Sequence, residues 1–364
     1  MDASDSKRFC CVFCVKMVKS IPVIFILCIL AWSYYAYVYH LCISALGGIA
    51  SMEVKALYLT VYHIILVFFL WSYFKTIFTE PGGVPPKFRL PEEVFEEFNR
   101  IPIDLNRQNA VLRDFSENLP VMTFTNADEH FFSDIRYCDK CRVVKPDRSH
   151  HCSVCRKCVL KMDHHCPWVN NCVSYSNYKF FILFLAYGLL MCIYVVATTA
   201  EYVIKFWDVT SDVRISGGSE KIHIIFLFFI ASMFSISLFS LFAYHIYLVS
   251  KNRTTLESFR PPKFSEGCDK NGFNLGCCRN IREVFGKEVI LWPFPVDTSL
   301  GDGSSFPINK NIPEAQSLLS SDIYDQKSSI GFENSDTQLF TSILINDDSC
   351  SNTNVAKYQD LIEI

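Results

Sequence analysis

Four long apolar segments most constrain what this chain can fold into. They cover about residues 21–46, 54–78, 180–204 and 222–249, and a helix needs about 20 apolar residues to cross the bilayer core. Half of all residues are hydrophobic, 32 of them phenylalanine, which is too apolar for an ordinary soluble domain of this length. Buried helices of a soluble all-α protein are the alternative, but four such segments disfavour it. We predict an all-α membrane protein with four transmembrane helices.

The charges at the ends of these segments predict their orientation. Cytosolic loops carry an excess of Lys and Arg, and the short loops after the first and third segments lack one. Both termini and the long loop at 79–179 are therefore predicted to be cytosolic, with the first segment as an uncleaved anchor. The basic residues next to the outermost segments are Lys7, Arg8, Lys16 and Lys19 before the first and Lys251, Arg253, Arg260 and Lys263 after the fourth.

The loop between the second and third segments contains seven cysteines in one short stretch. It reads Cys138-x2-Cys141-x9-His151-Cys152-x2-Cys155-x2-Cys158-x4-Asp163-His164-His165-Cys166-x5-Cys172. Two closed tetrahedral zinc sites need eight ligands, and six of the cysteines together with His151 and His165 supply eight. Because the stretch lacks a sizeable apolar run, metal binding must supply much of its folding energy. We predict a cytosolic cysteine-rich domain with two structural zinc ions at residues 136–179.

This count leaves Cys166 without a metal. The residue closely follows Asp163 and His164, and a thiol with a histidine and a carboxylate is the composition of an activated nucleophile. A free cysteine is often only a small buried hydrophobic residue. That alternative, with a purely structural zinc knot, accounts for the six ligands but not for Cys166 after two histidines. We therefore interpret Cys166 as a catalytic residue.

The stretch Asp163-His164-His165-Cys166-Pro167-Trp168-Val169-Asn170-Asn171-Cys172 resembles the DHHC family of protein S-acyltransferases, or palmitoyltransferases. Thr254-Thr255-Leu256-Glu257 is similar to the family's Thr-Thr-x-Glu motif, and Asn280 lies in a segment that resembles its C-terminal motif. The resemblance extends over roughly residues 5–300. One departure is Glu80-Pro81-Gly82, where many members have Asp-Pro-Gly.

The resemblance implies how the eight ligands divide between the two zinc ions, which the spacing alone leaves open. His150 remains outside both sets and is interpreted as a surface residue or as support for a metal ligand. One zinc ion takes Cys138, Cys141, His151 and Cys158, and the other takes Cys152, Cys155, His165 and Cys172.

The resemblance also implies a two-step acyl transfer through a covalent intermediate. His164, oriented by Asp163, takes the proton from Cys166, and the thiolate attacks the thioester of a fatty acyl-coenzyme A such as palmitoyl-CoA. A cysteine of a membrane-associated substrate protein then takes the acyl group from Cys166. The sequence leaves three other functions open: a thioester hydrolase, a non-enzymatic scaffold and a transporter. The few ionisable residues within the segments disfavour ion transport.

The resemblance further implies a cavity between the helices that holds the acyl chain. Ordinary packing is the competing interpretation for each candidate. The candidates are Trp168, Phe181 and Phe184 near the thiol and Ser33 and Met191 at the far end.

The charge of the cysteine-rich domain suits a phosphate-bearing ligand. Residues 136–179 hold nine Lys or Arg residues against three Asp residues, an excess that could steer the phosphates of coenzyme A or contact anionic lipid headgroups. The whole chain has a net charge of -3, which argues against nucleic acid as a partner.

The remaining predictions concern the flanking segments. Cys10, Cys11, Cys14, Cys277 and Cys278 lie in positions that suit acylation, although unmodified thiols are equally expected there. Short stretches at 314–319 and 358–361 resemble sorting signals for endocytic adaptors. The expected location is the Golgi and/or the plasma membrane and endosomes, and the sequence does not select one organelle. The predicted organisation is a cytosolic N-terminus at 1–20, helices at 21–78, a linker at 79–135, the zinc domain at 136–179, helices at 180–250, a motif region at 251–297 and a disordered tail at 298–364.

Overall fold

The computed structural model describes residues 3–45, 51–100, 105–125, 135–207, 218–265 and 267–309. Its described part is mostly helical. The helices are α1 (Ala3–Tyr35), α2 (Met52–Phe78), α3 (Glu92–Arg100), α4 (Leu105–Ser116), α5 (Tyr178–Trp207), α6 (Gly218–Ser250), α7 (Thr255–Phe259) and α8 (Cys277–Phe285). A π-helical stretch, Ala36–Ala45, continues α1, and two short 3-10 helices lie at Pro86–Phe88 and Val289–Leu291.

Four of these helices are long and apolar enough to cross a membrane, which confirms the predicted number of spans. The candidate spans are Met17–Ser44, Met52–Phe78, Tyr178–Ile204 and Lys221–Ser250. Each begins or ends within a few residues of the predicted segment. The chain is therefore a multi-pass membrane protein with its cysteine-rich stretch between the second and third spans.

Helix α5 lies at the centre of the bundle and packs against both α2 and α6. Large aromatic side chains fill the contact: Tyr73 of α2 is fully buried, and its ring lies 5.0 Å from Phe184 of α5. Tyr62 of α2 stacks on Tyr37 of the π-helical stretch with 4.4 Å between ring centroids. Such pairs add to the stability gained from burying the rings themselves.

Between α2 and α5 the cysteine-rich stretch forms three antiparallel hairpins of similar shape. A residue with positive φ closes each turn: Arg142 at 55°, Arg156 at 56° and Asn170 at 48°. The first hairpin pairs Tyr137–Cys138 (β1) with Val143–Val144 (β2), the second pairs His150–Cys152 (β3) with Lys157–Val159 (β4), and the third pairs His164–Cys166 (β5) with Asn171–Val173 (β6). Cys138, Cys152 and Cys166 occupy the same position in their respective hairpins.

The predicted linker at 79–135 contains α3 and α4, which form a small apolar core on the zinc domain. Phe98 of α3 and Leu112 of α4 are buried with Val144 of β2, and the Arg142 guanidinium lies 4.0 Å from the centre of the Phe95 ring. Each helix is short and mostly polar, so the apolar stripe that docks it did not stand out in the sequence.

The region after α6 folds against the zinc domain. Its folded part extends further along the chain than the sequence predicted. A fourth hairpin, Lys263–Phe264 (β7) with Gly267–Cys268 (β8), precedes α8. Phe306 is 5% exposed and packs with Phe264 and Phe273, so placing residues 298–309 in a disordered tail was wrong. A single aromatic residue in a polar stretch is too weak a sequence signal to predict that the stretch is folded. Residues 310–364, with both sorting-type stretches, lie outside the described residues.

Candidate active site and metal centres

The first predicted metal site is assembled around His151. Its Nδ1 lies 3.5 Å from Cys138 Sγ, 3.3 Å from Cys141 Sγ and 3.8 Å from Cys158 Sγ. With bonds of about 2.3 Å to sulfur and about 2.0 Å to nitrogen, a tetrahedral zinc ion separates such ligand atoms by roughly 3.5–3.8 Å. The four side chains therefore fit a zinc ion without rearrangement.

The second site repeats this arrangement around His165. Its Nδ1 lies 3.7 Å from Cys152 Sγ, 3.5 Å from Cys155 Sγ and 3.6 Å from Cys172 Sγ. All four potential ligand atoms lie within 4.8 Å of one another, as they do in the first site. The interleaved division of ligands implied by the resemblance is the one that the structure contains, and the two sites account for two zinc ions.

His150 lies outside both ligand sets. It pairs with Val159 across the second hairpin, next to the ligand His151. Burial lowers the pKa of His150 well below its usual value, and Arg136 and Lys145 lower it further. A neutral imidazole that supports the hairpin agrees with this environment better than a surface residue does.

Strand β5 places the predicted catalytic residues beside the second metal site. Successive side chains of a strand point to opposite faces, so His165 can face the metal while His164 and Cys166 share the other face. His164 Nδ1 lies 2.6 Å from Asp163 Oδ2, and the Cys166 thiol is near enough to raise the pKa of His164. Asp163 and Cys166 are almost fully buried, at 2% and 6% exposure.

The surroundings of this group favour charge on both Asp163 and His164. Burial alone raises the pKa of Asp163, but its hydrogen bonds to His164 and Thr255 outweigh burial and lower it. Burial lowers the pKa of His164, but its hydrogen bond to Asp163 and the nearby Cys166 thiol raise it to about 10. The geometry therefore suits a histidine that accepts and holds the proton of a neighbouring thiol.

The sequence indicated the Thr-Thr-x-Glu motif but assigned no role to it. In the structure this motif holds Asp163 in place. Thr255 donates to the carboxylate from its backbone nitrogen at 2.9 Å and from its hydroxyl at 2.8 Å. Thr254 and Glu257 form a capping box at the start of α7. Glu257 in turn binds the buried Arg148 guanidinium through two contacts of 2.7 Å. The motif thus anchors the Asp163 carboxylate to the end of the fourth span.

Asn280 of the C-terminal motif has a structural role in the same region. It is fully buried in α8 and donates to Ser250 O and Asn274 Oδ1, both at 2.7 Å. It also accepts a hydrogen bond from Leu275 N. This side chain joins α8 to the end of α6.

A cavity lies between the four spanning helices, where the sequence predicted one. Its volume is about 140 Å³, which is smaller than the usual ligand pocket of roughly 300–1,000 Å³. Ser33, Phe184 and Met191 line it, and so does Tyr62, which the sequence did not indicate.

Two of the predicted lining residues, Trp168 and Phe181, are not among the residues that line this cavity. The Phe181 ring packs edge-on against His164 at 5.4 Å and lies 6.3 Å from Phe184. Trp168 is 51% exposed, and its backbone oxygen accepts a hydrogen bond from Tyr73 at 2.9 Å. Phe181 thus packs beside His164, Trp168 lies next to Tyr73 of α2, and the other three predicted residues line the cavity.

Comparison with known proteins agrees with these observations. Residues 132–261 match the family model described as DHHC palmitoyltransferase. The chain is 48% identical over 295 residues to human palmitoyltransferase ZDHHC20, covering 81% of this chain and 78% of that protein. It is 50% identical over 310 residues to zebrafish (Danio rerio) palmitoyltransferase ZDHHC2, covering 84% and 81%. It is 46% identical over 309 residues to Xenopus laevis palmitoyltransferase ZDHHC15, covering 85% and 88%.

Proposed function

Since the chain belongs to the DHHC palmitoyltransferase family, we propose that Cys166 carries the acyl group during palmitoyl transfer, with His164 as its base and Asp163 as the carboxylate that orients His164. The observation that carries this assignment is the hydrogen-bonded series from Thr255 through Asp163 to His164, with Cys166 on the same face of β5 as His164. A base oriented by a carboxylate and placed beside a thiol is the arrangement that activates a nucleophile.

The reaction exchanges one thioester for another in two steps. In the first, His164 takes the proton of Cys166, the Cys166 sulfur attacks the carbonyl carbon of the acyl-CoA, and the bond to the coenzyme A sulfur breaks. The departing thiolate takes the proton from His164. In the second step, a cysteine of a substrate protein loses its proton to His164 and attacks the Cys166 thioester. The bond between the acyl carbon and the Cys166 sulfur breaks, and this sulfur takes the proton from His164. No other energy source is needed, because thioester bonds are broken and formed in equal number.

The acyl chain is proposed to lie in the cavity between the helices. Trp168, Phe181 and Phe184 would contact its first carbons, and Ser33 and Met191 would lie near its end. Each buried CH₂ contributes about 0.8 kcal/mol, so a long chain is held strongly while its carbonyl stays beside Cys166. This placement explains why a reaction at a membrane surface needs four spanning helices.

Exposed basic residues of the zinc domain are proposed to face the coenzyme A phosphates. Of the nine basic residues in this domain, Arg148, Lys161 and Lys179 are buried and engaged within the protein, whereas Lys140, Arg142 and Arg156 are exposed. The exposed three are the better candidates for steering a soluble anion. Anionic lipid headgroups are the competing ligand. Binding of free coenzyme A that weakens as salt is raised would favour the coenzyme A phosphates over the headgroups.

The zinc domain, the catalytic group and both termini are proposed to be cytosolic, as the distribution of Lys and Arg predicts. This places the reaction where acyl-CoA is available. The proposed substrates are membrane-associated proteins with accessible cysteines. We further propose residence in the Golgi, plasma membrane or endosomes, with endocytic adaptors binding the tail at 314–319 and 358–361.

Acyl transfer can be tested with detergent-purified protein and labelled palmitoyl-CoA in the presence of an acceptor protein with one accessible cysteine. Label that reaches the acceptor in the wild-type protein and not in Cys166→Ser supports the proposal. Consumption of palmitoyl-CoA without labelled acceptor would identify a hydrolase instead. Equal labelling of the two forms of the enzyme would assign acylation to other cysteines, such as Cys277 and Cys278, whose side chains are exposed.

A further inference from the structure

A second histidine lies beside the catalytic group and is not needed for the acyl transfer described above. His245, on α6, is 2% exposed, and its ring lies 5.9 Å from that of His164. One nitrogen of each imidazole and one oxygen of Asp163 lie within 4.8 Å of one another. Two histidines and a carboxylate that converge in this way are donors that zinc commonly uses.

The position of Cys166 in its hairpin points to metal binding independently. In the first two hairpins the cysteine at this position is the metal ligand Cys138 or Cys152, and the turns of all three hairpins contain a residue with positive φ. In the third hairpin a buried valine, Val169, stands where the other two have their second cysteine. Cys166 therefore lies on a backbone that elsewhere in this domain presents sulfur to zinc.

The orientation of His245 also suits a ligand. The Tyr178 hydroxyl lies 3.1 Å from His245 Nδ1, which leaves Nε2 as the nitrogen available to a metal. Metal-binding histidines usually have their second ring nitrogen held by such a partner, which fixes the ring orientation. Phe181 packs edge-on against His245 at 5.0 Å and restricts the ring further.

We propose that Asp163, His164 and His245 form a third metal site, toward which the nearby Cys166 sulfur moves as a further donor, and that this site binds a thiophilic divalent cation such as Zn²⁺ reversibly and thereby blocks acyl transfer. The inhibition rests on the proposed catalytic roles of Cys166 and His164, whereas the binding itself does not. A bound cation occupies the base and lies next to the nucleophile, so neither the attack on acyl-CoA nor the transfer to an acceptor can proceed.

This site is weaker than the two structural sites because its donors already have hydrogen-bond partners. The ligand pairs around His151 and His165 already have the separations that a tetrahedral ion requires, whereas Asp163 of the third site already accepts two hydrogen bonds from Thr255, which compete with a metal ion. The hydrogen bond of 2.6 Å between His164 and Asp163 must also be given up. The third site therefore responds to changes in free metal concentration while the other two remain filled.

The test measures binding directly, on the full-length protein already loaded with two zinc ions. Buffered free Zn²⁺ is titrated, and bound metal is counted by elemental analysis after equilibrium dialysis. We expect a third equivalent in the wild-type protein and an affinity at least about 10-fold weaker in His245→Gln. His63→Gln is the matched control, because His63 lies on α2 and pairs with Tyr34. Binding limited to two equivalents, or a third equivalent that His245→Gln leaves unchanged, would overturn the proposal.

Two further measurements test the third metal site independently of His245→Gln. Tyr178→Phe removes only the partner of His245 Nδ1 and is expected to weaken the third equivalent by about 10-fold, which covers the case that His245→Gln fails to fold. With Co²⁺ as the probe, the third equivalent should add a sulfur-to-cobalt absorption band that Cys166→Ser lacks, and its presence in Cys166→Ser would contradict the part assigned to Cys166. If the proposed function failed, Cys166 would not be acylated even in metal-free buffer, whereas these binding readouts would still hold.

Discussion

Thr255 holds Asp163 with two hydrogen bonds, from its backbone nitrogen at 2.9 Å and its hydroxyl at 2.8 Å. These residues belong to different parts of the chain, the hairpin that bears the nucleophile and the helix that follows the fourth span. Because Asp163 in turn holds His164, the alignment of the proposed base depends on how the zinc domain docks on the end of the membrane bundle.

Removing the Thr255 hydroxyl should therefore slow catalysis. Thr255→Val keeps the backbone hydrogen bond and loses the one from the side chain, and a hydrogen bond to a charged group contributes about 1.5–3 kcal/mol. We expect turnover to fall by about 10-fold or more with little change in the KM for palmitoyl-CoA. Thr255→Ser restores the hydroxyl and should recover most of the activity. Wild-type turnover in Thr255→Val would show that Asp163 does not need this support.

The buried ion pair between Arg148 and Glu257 should matter for stability. Its two contacts are 2.7 Å long, and the Arg148 side chain has no exposure. Removing one partner of a buried pair costs about 3–5 kcal/mol, because the other charge stays buried. Arg148→Met should clearly lower the thermal unfolding midpoint in detergent. The exposed pair of Glu80 with Lys157 is the control, and Glu80→Gln should change the midpoint little. Equal effects of the two substitutions would contradict this account.

Metal removal should unfold the zinc domain and not only inactivate it. The ligands are the residues that hold the hairpins together, and structural zinc sites contribute folding energy directly. Purified protein should contain two zinc ions per chain, and Cys158→Ser should lose one of them. Limited proteolysis should then cut within residues 136–179 in the variant and in chelator-treated protein, while the spanning helices stay protected. A chelated protein that remains resistant there would refute the structural role of the metal.

A larger side chain at the far end of the cavity should shift the preference toward shorter acyl chains. Ser33 and Met191 line the cavity, so Ser33→Phe fills space that the last carbons of a long chain would occupy. In competition between acyl-CoAs of 14 and 18 carbons, the variant should favour the shorter chain more than the wild-type protein does. Cys28→Phe places the same bulk on an exposed position of α1 and should leave the ratio unchanged. An unaltered ratio in Ser33→Phe would place the chain elsewhere.

The sequence predicted the parts of this molecule that depend on local pattern. The length of the apolar segments predicted the four spans. Counting the possible ligands predicted the eight metal donors and left Cys166 outside both sites. Contacts between distant segments could not be read in this way. The pairing of Arg148 with Glu257 and the approach of His245 to His164 depend on how the zinc domain docks on α6, which no spacing encodes. The anchoring of Phe306 between Phe264 and Phe273 is a further case, because one aromatic residue in a polar stretch carries almost no signal.

The central claim is that Cys166 carries the acyl group, and mapping that group on the protein tests it most directly. Purified protein is mixed briefly with palmitoyl-CoA without acceptor, quenched in acid, digested and analysed by mass spectrometry. The account predicts a palmitoyl thioester on Cys166 that hydroxylamine releases and that disappears when an acceptor cysteine is added before the quench. Palmitate found only on other cysteines, with Cys166 unmodified and transfer to the acceptor intact, would contradict it.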